Sequence, residues 1–322
     1  MVAVTGATGL LGSHILERLQ RAGVDIIGLH RSGRDQSPRE GIAWRTADIS
    51  DQVTLREALE GATTVIHAAA FVSFNPRRRK QIFEINVEGT RNIVNTCLQL
   101  GIKNLIHVSS VSALGRKPGE PVTEVSKWSG AHATDYAESK YLAELEVFRG
   151  AEEGLEVGIV NPSVILSTVQ LHRSSAALFD YVWKERTFYT EGNLNYVDAR
   201  DVAEAIFQLY ARPRPGEKYI LSAGAVTYKK FFELLAEKFG KRAPAVKVSS
   251  RLSYWVGWAE EMRGLLVNRD PLITRQSAGT ARHSFLYDNR KVKEQLGIQM
   301  HSLEETLDWC CADYLRNVKS NK

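Results

Sequence analysis

The glycine spacing near the start of the chain limits the possible folds more than any other feature. Val2–Thr5 reads as a short apolar strand, Gly6-Ala7-Thr8-Gly9-Leu10-Leu11-Gly12 follows at once, and an amphipathic helical pattern runs from Leu10 to Ala22. Glycines at these places allow a tight turn and let the backbone approach a pyrophosphate closely, while the helix N-terminus offers free N–H groups and a positive dipole end. Strand, turn and helix in that order are the context such a glycine trio needs to be read as a dinucleotide site. Gly6, Thr8, Gly9, Leu10, Leu11 and Gly12 are therefore candidate cofactor-binding residues.

The same alternation continues. Asp25–Leu29, Ala43–Thr46, Thr64–Ala68, Asn104–Ser109 and Glu156–Val160 read as strands, separated by helical patterns over Val53–Leu59, Arg79–Leu100 and Asp135–Glu152. Strand–helix alternation over some 160 residues implies an α/β, doubly wound parallel sheet of about seven strands, a Rossmann-type fold. The second half is less regular. Helices are expected at Ser174–Glu185, Ala199–Leu209, Phe231–Phe239 and Leu303–Tyr314, a strand at Tyr219–Ser222, and a surface turn at Arg212-Pro213-Arg214-Pro215-Gly216. A dinucleotide-binding domain over 1–167 and a smaller substrate lobe over 168–322 are expected, with 194–222 returning to the first. Residues 251–267 carry Trp255, Trp258 and Leu265 on a helical repeat, read as a core or lid helix.

The choice of dinucleotide turns on the end of the second strand. An NAD site usually places an acid about 20 residues beyond the glycines, to hold the ribose hydroxyls. Here the chain reads Gly28-Leu29-His30-Arg31-Ser32-Gly33-Arg34, without an acid. Arg31 and Arg34 suit a 2′-phosphate, because guanidinium matches phosphate in a bidentate way. NADP(H) is the expected cofactor.

Tyr136 and Lys140 are four apart, which on a helix puts them on one face about 6 Å apart along the axis. An ammonium so placed is expected to pull the Tyr136 hydroxyl pKa down towards working pH and so fit it for acid–base work. Ser109 and Ser110 end a strand, where ligands gather in open α/β sheets. His67 and His107 fall inside strands and are read as satisfied in place. Asp198 and Asp201 are read as serving the start of the following helix.

With these residues in order, the chain resembles the extended short-chain dehydrogenase/reductases. The likeness covers nearly the whole chain. It rests on Thr5–Gly12, Asp48-Ile49, His67-Ala68-Ala69-Ala70, Asn86-Val87-Glu88-Gly89-Thr90, Val108-Ser109-Ser110, Tyr136–Lys140, Asn161-Pro162-Ser163 and the run from Tyr196 to Ala203. The resemblance implies that Ser110 polarises a substrate oxygen and that Tyr136 is the acid/base. Lys140 would assist it and hold the nicotinamide ribose, with Asn86 supporting the site. It further implies adenine contacts from Asp48 and Ile49, a channel lined by Ala68, Ala69 and Ala70, and Pro162 and Ser163 near the nicotinamide. Arg31 and the C-terminal run from Tyr287 to Val292 resemble the dihydroflavonol reductase and cinnamoyl-CoA reductase branch. Asn161, where many members have Arg, and Ser167, where a Gly often stands, depart from the pattern and are expected near the substrate side.

Composition narrows the function classes. Hydrophobic residues make up 43% and charged residues 25% of the 322, a globular balance. The longest apolar runs are strand-sized, so no membrane span is expected. Three cysteines, two of them adjacent, suggest neither a disulfide framework nor a metal site, and a cytoplasmic setting with no secretory signal is expected. The net charge of +5 peaks at Arg77-Arg78-Arg79-Lys80, read as a loop or helix start rather than a nucleic-acid patch. Aromatic residues of the second half, including Phe179, Tyr181, Trp183, Phe188, Tyr189 and Trp255, are mostly expected in the core.

The leading expectation is an NADP(H)-dependent enzyme reducing a small-molecule ketone or aldehyde. A homodimer through the 79–100 and 135–152 helices is implied by the resemblance. The alternative is an NAD-dependent nucleotide-sugar epimerase. A dehydratase is disfavoured because Val111-Ser112, not an acidic pair, follows Ser110. Steroid oxidation stays open, and a catalytically silent nucleotide sensor is disfavoured by the retained Ser110, Tyr136 and Lys140.

Overall fold

The computed structural model describes residues 1–31, 40–117, 119–130, 133–168, 176–248 and 285–320. Seven parallel strands form the central sheet: β1 (Val2–Thr5), β2 (Ile26–His30), β3 (Ile42–Thr46), β4 (Thr64–His67), β5 (Asn104–Val108), β6 (Glu156–Pro162) and β10 (Glu217–Leu221). Their order is β10-β6-β5-β4-β1-β2-β3. The order reverses at β1, flanked by β2 and β4, which opens the crevice where such sheets take ligands.

Both faces of the sheet are covered, so its inner strands β1, β2, β4, β5 and β6 are buried almost continuously rather than on alternate residues. One face sends Val2, Val4, Ile66 and Ile106 against α1 (Leu10–Arg21) and α7 (Ala199–Ala211). The other sends Ala3, Ile27, Val65, Leu105 and Ile159 against α2 (Gln52–Leu59), α4 (Gly89–Leu100) and α5 (Asp135–Glu152). Thr134 caps α5 by accepting from Ala137 N at 3.1 Å, and Asp135 and Glu138 complement the dipole of its first turn. Asp198 likewise caps α7 through Arg200 N at 2.8 Å, as expected.

The helix expected over Arg79–Leu100 is not continuous. A 3₁₀ turn (Pro76–Arg78) leads into α3 (Arg79–Phe83), a π-helical turn (Glu84–Glu88) follows, and α4 completes the run. The basic run thus forms a helix start, and Arg79 pairs with Asp135 and Glu138 of α5.

Two smaller sheets complete the fold: β7 (Val164–Leu166), β9 (Asn193–Asp198) and β11 (Gly224–Thr227) form one, and β8 (Phe188–Thr190) with β12 (Val246–Val248) the other. Thus β10 lies in the central sheet, whereas β9, from the same 194–222 stretch, does not. Around these sheets pack α6 (Ala176–Trp183), α8 (Tyr228–Phe239) and the last helix, α10 (Leu303–Ser320), which follows α9 (Arg290–Leu296). Phe179, Phe231, Leu235, Cys310 and Tyr314 form their core, with Tyr181, Trp183 and Tyr189 packed against it, while Phe188 is exposed. Residues 251–267, including Trp255, Trp258 and Leu265, lie outside the described residues. Among the described residues no helix is long and apolar enough to cross a membrane.

Candidate active site

The glycine loop is built around its own backbone. Gly6 takes φ +67°, and a Cβ there would stand 2.7 Å from Ala69 N. A Cβ on Gly12 would stand 2.1 Å from Gly6 O, so the first turn of α1 can lie against the loop only without one. Gly9 N donates to Gly6 O at 2.8 Å, and Gly9 caps α1 with no side chain and no acid in the first turn. Thr8, Leu10 and Leu11 complete this strand–loop–helix junction. With no acid in its first turn, α1 presents the positive end of its dipole at this junction, which suits an anion.

Eight further expected cofactor residues end or follow parallel strands and so lie at the same edge of the sheet as the loop. Ala68 N donates to Thr5 O at 3.3 Å and Ala69 N to Thr5 Oγ1 at 3.2 Å, which holds the 68–70 segment beside the loop. Ile49 packs on Gly89, and its carbonyl accepts from Asn92 Nδ2 at 3.0 Å. Burial opposes ionisation of Asp48, but hydrogen bonds from Ser50 and the charge of Arg31 outweigh it and lower its pKa. Arg31, at the exposed end of β2, is therefore close enough to Asp48 to act on it electrostatically; Arg34 lies outside the described residues. Pro162 ends β6, and the next residue, Ser163, carries a buried hydroxyl with no hydrogen-bond partner. An orphaned buried donor at the end of β6 and, three strands away, a cradle that a Cβ would fill at the end of β1 fit the two ends of a dinucleotide with a polar head group.

Ser110, Tyr136 and Lys140 converge at the C-terminal end of β5. Ser110 caps the 3₁₀ turn Val111–Ala113, its Oγ accepting from Ser112 N at 3.1 Å, and its side chain is hydrogen-bonded to Tyr136. Burial pushes the Tyr136 hydroxyl up to about 12, against the effect of that bond. This corrects the expectation that Lys140 would pull it down. Lys140 Nζ instead donates to Val108 O at 2.8 Å, and burial, opposed by the Glu144 carboxylate, brings it down to about 8. The phenol is thus kept protonated and the ammonium is tied to the strand end. Phe74 sets its ring edge on Tyr136 at 6.2 Å, and with Val72 it forms an exposed apolar lip.

Asn86 does not touch these groups directly. Its Oδ1 accepts from Phe71 N at 2.7 Å, and its Nδ2 donates to Phe71 O at 3.0 Å and Ser139 Oγ at 2.9 Å. Ser139 in turn donates to Tyr136 O at 2.8 Å, so Asn86 joins the lip to the helix of the candidate acid. A second chain runs beneath it. Thr5 Oγ1 meets His67 Nδ1 at 2.7 Å, His67 Nε2 meets Thr90 Oγ1 at 3.0 Å, and Thr90 Oγ1 donates to Asn86 O at 2.6 Å. Thr90 spends its one hydroxyl hydrogen on Asn86 O and so accepts from Nε2, which leaves Nδ1 to accept from Thr5 and assigns His67 the Nε2–H tautomer. Burial and the Lys140 charge hold its pKa down to about 3.

His107 differs. It was expected to be satisfied in place, yet neither ring nitrogen has a hydrogen-bond partner, although the residue is fully buried. The strand pattern located it but could not say what faces it. The two departures from the family pattern are both buried. Asn161 is fully buried beneath α5, its Nδ2 donating to Ser110 O at 3.0 Å and Glu144 Oε1 at 2.6 Å. Ser167 Oγ meets His14 Nε2 on α1 at 2.7 Å. Glu144 and Lys218, joined at 3.0 Å, were not singled out in the sequence; the one available signal was that Glu144 stands one helical turn beyond Lys140.

Cradle, crevice and converging side chains define an α/β dinucleotide-binding enzyme. Residues 2–224 match the NAD dependent epimerase/dehydratase family, and the chain belongs to it; this is the extended short-chain dehydrogenase/reductase family, whose cofactor is a nicotinamide dinucleotide. "Sterol demethylase protein B" of Methylococcus capsulatus is 29% identical over 279 residues, 84% of this chain and 82% of that protein. Cinnamoyl-CoA reductase 1 of Oryza sativa subsp. japonica is 29% identical over 266 residues, covering 76% and 77%. Among solved structures, gox2253 aligns with TM-score 0.86 at 30% identity over 98% of both chains. A nucleoside-diphosphate-sugar epimerase from Pseudomonas aeruginosa aligns with TM-score 0.78 at 25% identity, over 98% of this chain and 97% of that one.

Proposed function

We propose that the protein reduces a ketone or aldehyde with NADPH, with Ser110, Tyr136 and Lys140 as the reacting set. The observation that carries this reading is a protonated phenol, hydrogen-bonded to a serine and one helical turn from a buried ammonium. When bound, the nicotinamide supplies a hydride to the carbonyl carbon. Ser110 Oγ accepts from Ser112 N, and its one hydrogen turns from the Tyr136 hydroxyl to donate to the carbonyl oxygen when substrate is bound. Tyr136 delivers a proton to that oxygen as negative charge develops on it. Its high pKa is no obstacle, because an alkoxide is a far stronger base than a phenolate. Lys140 provides positive charge for the phenolate that remains, and Asn86 keeps the helix and lip in register through Ser139 and Phe71.

Arg31 at the end of β2, with no acid at that strand end, supports NADP(H) over NAD; relatives named as reductases support reduction. The epimerase reading is favoured by one observation, the likeness to the Pseudomonas aeruginosa epimerase over nearly the full chain. Identifying any copurifying nucleotide and then titrating with NADPH and NADH separates the two. Exchangeable NADPH with much weaker NADH supports reduction and leads to an aldehyde and ketone panel. Tightly held, non-exchanging NAD overturns it and leads to nucleotide sugars.

A further inference from the structure

We propose that Glu144 is a positioning residue that keeps Lys140 charged, with Lys218 as its counter-ion and Asn161 as its anchor to the Ser110 turn. The proposal rests on the reading above in giving Lys140 and Ser110 a part in the reaction.

Glu144 follows Lys140 by one helical turn, so the two side chains share a face of α5. Each is only 2% exposed. A carboxylate so far from water must find charge and donors within the protein. Glu144 finds both. Asn161 Nδ2 donates to one oxygen at 2.6 Å and Lys218 Nζ to the other at 3.0 Å.

The donors come from the two strands at this side of the sheet. Asn161 lies on β6, and its Nδ2 is shared with Ser110 O, while its Oδ1 is buried without a partner. The residue therefore serves here as a donor, tying the carboxylate to the backbone of the candidate catalytic serine. Lys218 lies on β10, in parallel register with Ile159 of β6. Tyr219 and Leu221 both pack into the core on the α1 side, so the alternation along β10 turns Lys218 towards α5. There its ammonium stands 5.7 Å from the Phe148 ring and reaches Glu144.

Several ionisable groups face Lys140. Tyr136 and Glu144 share its helix, His67 projects from β4 and His107 from β5, and Lys218 stands beyond Glu144 on β10. Tyr136 is held protonated, and both histidines are held neutral by burial and by Lys140 itself. Among the described residues, Glu144 is the group whose negative charge opposes the desolvation of Lys140. Without that charge, a buried amine gives up its proton at lower pH.

The test follows the Lys140 side chain directly. In protein labelled with ¹³C-lysine, the Lys140 Cε resonance, assigned by its loss in Lys140→Met, is titrated with pH in the wild type and in Glu144→Gln. The amide of Gln keeps the shape and removes the charge, so the midpoint should fall by roughly one pH unit. The alkaline limb of kcat/KM for carbonyl reduction should move by the same amount, which a merely structural role for Glu144 would not cause. Should Glu144→Gln fold poorly around an uncompensated Lys218, Glu144→Gln/Lys218→Met removes both charges; the midpoint should still fall, but by less, because a like charge near Lys140 is removed as well. An unchanged midpoint in a folded variant overturns the proposal. Turnover surviving in Tyr136→Phe would overturn the reductase reading instead, and the NMR titration would still stand.

Discussion

Lys140 Nζ donates to the carbonyl oxygen of Val108 at 2.8 Å, which ties the candidate ammonium to the end of β5. Burial makes that arrangement costly. The native pKa of about 8 lies below the ordinary 10.5, so between those values the unfolded chain binds a proton that the folded chain does not. Stability from this group therefore rises as pH climbs from about 8 to 10.5, and below 8 the protein carries the whole penalty. Lys140→Met should stabilise the fold at pH 7 by about 1–2 kcal/mol, after the lost bond to Val108 is allowed for. It should also abolish turnover. Urea unfolding at pH 7 and an activity assay check both; a variant less stable than wild type contradicts the account.

Tyr136→Phe removes the proton donor and the bond to Ser110 but little volume. General acid catalysis contributes about 10²–10⁴-fold, and the loss of turnover should fall in or above that range. NADPH affinity, followed by nucleotide fluorescence, should change less than about threefold, since the glycine loop is untouched. Comparable losses in binding and turnover would instead make Tyr136 a cofactor-binding residue.

Arg31→Ala tests cofactor choice. A charge-assisted bond to phosphate contributes about 1.5–3 kcal/mol, so NADPH binding should weaken by roughly 10–100-fold. NADH lacks the 2′-phosphate, and its affinity should stay nearly constant. Equal weakening of both would assign Arg31 to holding Asp48 or the strand end rather than to reading the phosphate.

The local parts of this architecture were legible in the sequence. The loop glycines announced a strand–turn–helix junction, and the apolar runs of β1, β4 and β6 announced a buried parallel sheet, because each signal sits within a few neighbouring residues. The π-helical turn was not legible. It depends on Asn86 reaching Phe71 and Ser139, groups 15 and 53 residues away along the chain. Tyr136–Lys140 was visible as a helical pair, but the sign of the Tyr136 shift depended on how deeply the hydroxyl is enclosed. Glu144, Asn161 and Lys218 meet only because β10 follows β6 in the sheet order, and pair spacing along the chain carries no trace of that.

His107 offers a test of buried charge. Burial first, then the charges of Lys140 and His67, holds its pKa well below the ordinary 6.5. As pH falls below 6.5 the unfolded chain gains a proton there that the native chain does not, so the native state loses about 1.4 kcal/mol per pH unit through this residue. Because the ring has no hydrogen-bond partner, His107→Leu breaks no such bond. Between pH 6.5 and 5 the variant should lose about 2 kcal/mol less stability than wild type in urea unfolding. Parallel pH profiles would mean that His107 takes up a proton in the folded protein.

Asn86→Ala leaves Phe71 N, Phe71 O and Ser139 Oγ without their partner. Ser139 keeps its bond to Tyr136 O, so the main loss falls on the 71 segment and the lip formed by Val72 and Phe74. Buried groups stripped of partners cost about 1–3 kcal/mol each, and with partial relaxation the whole change should destabilise the protein by about 2–4 kcal/mol. The Phe71 amide should lose hydrogen-exchange protection well beyond that global change, because its acceptor is gone even in the folded state. KM for the carbonyl substrate should rise more than kcat falls, since the lip loosens while Ser110 and Tyr136 keep their bond. Preserved protection at Phe71 together with a fall confined to kcat would instead place the role of Asn86 at the reacting groups themselves.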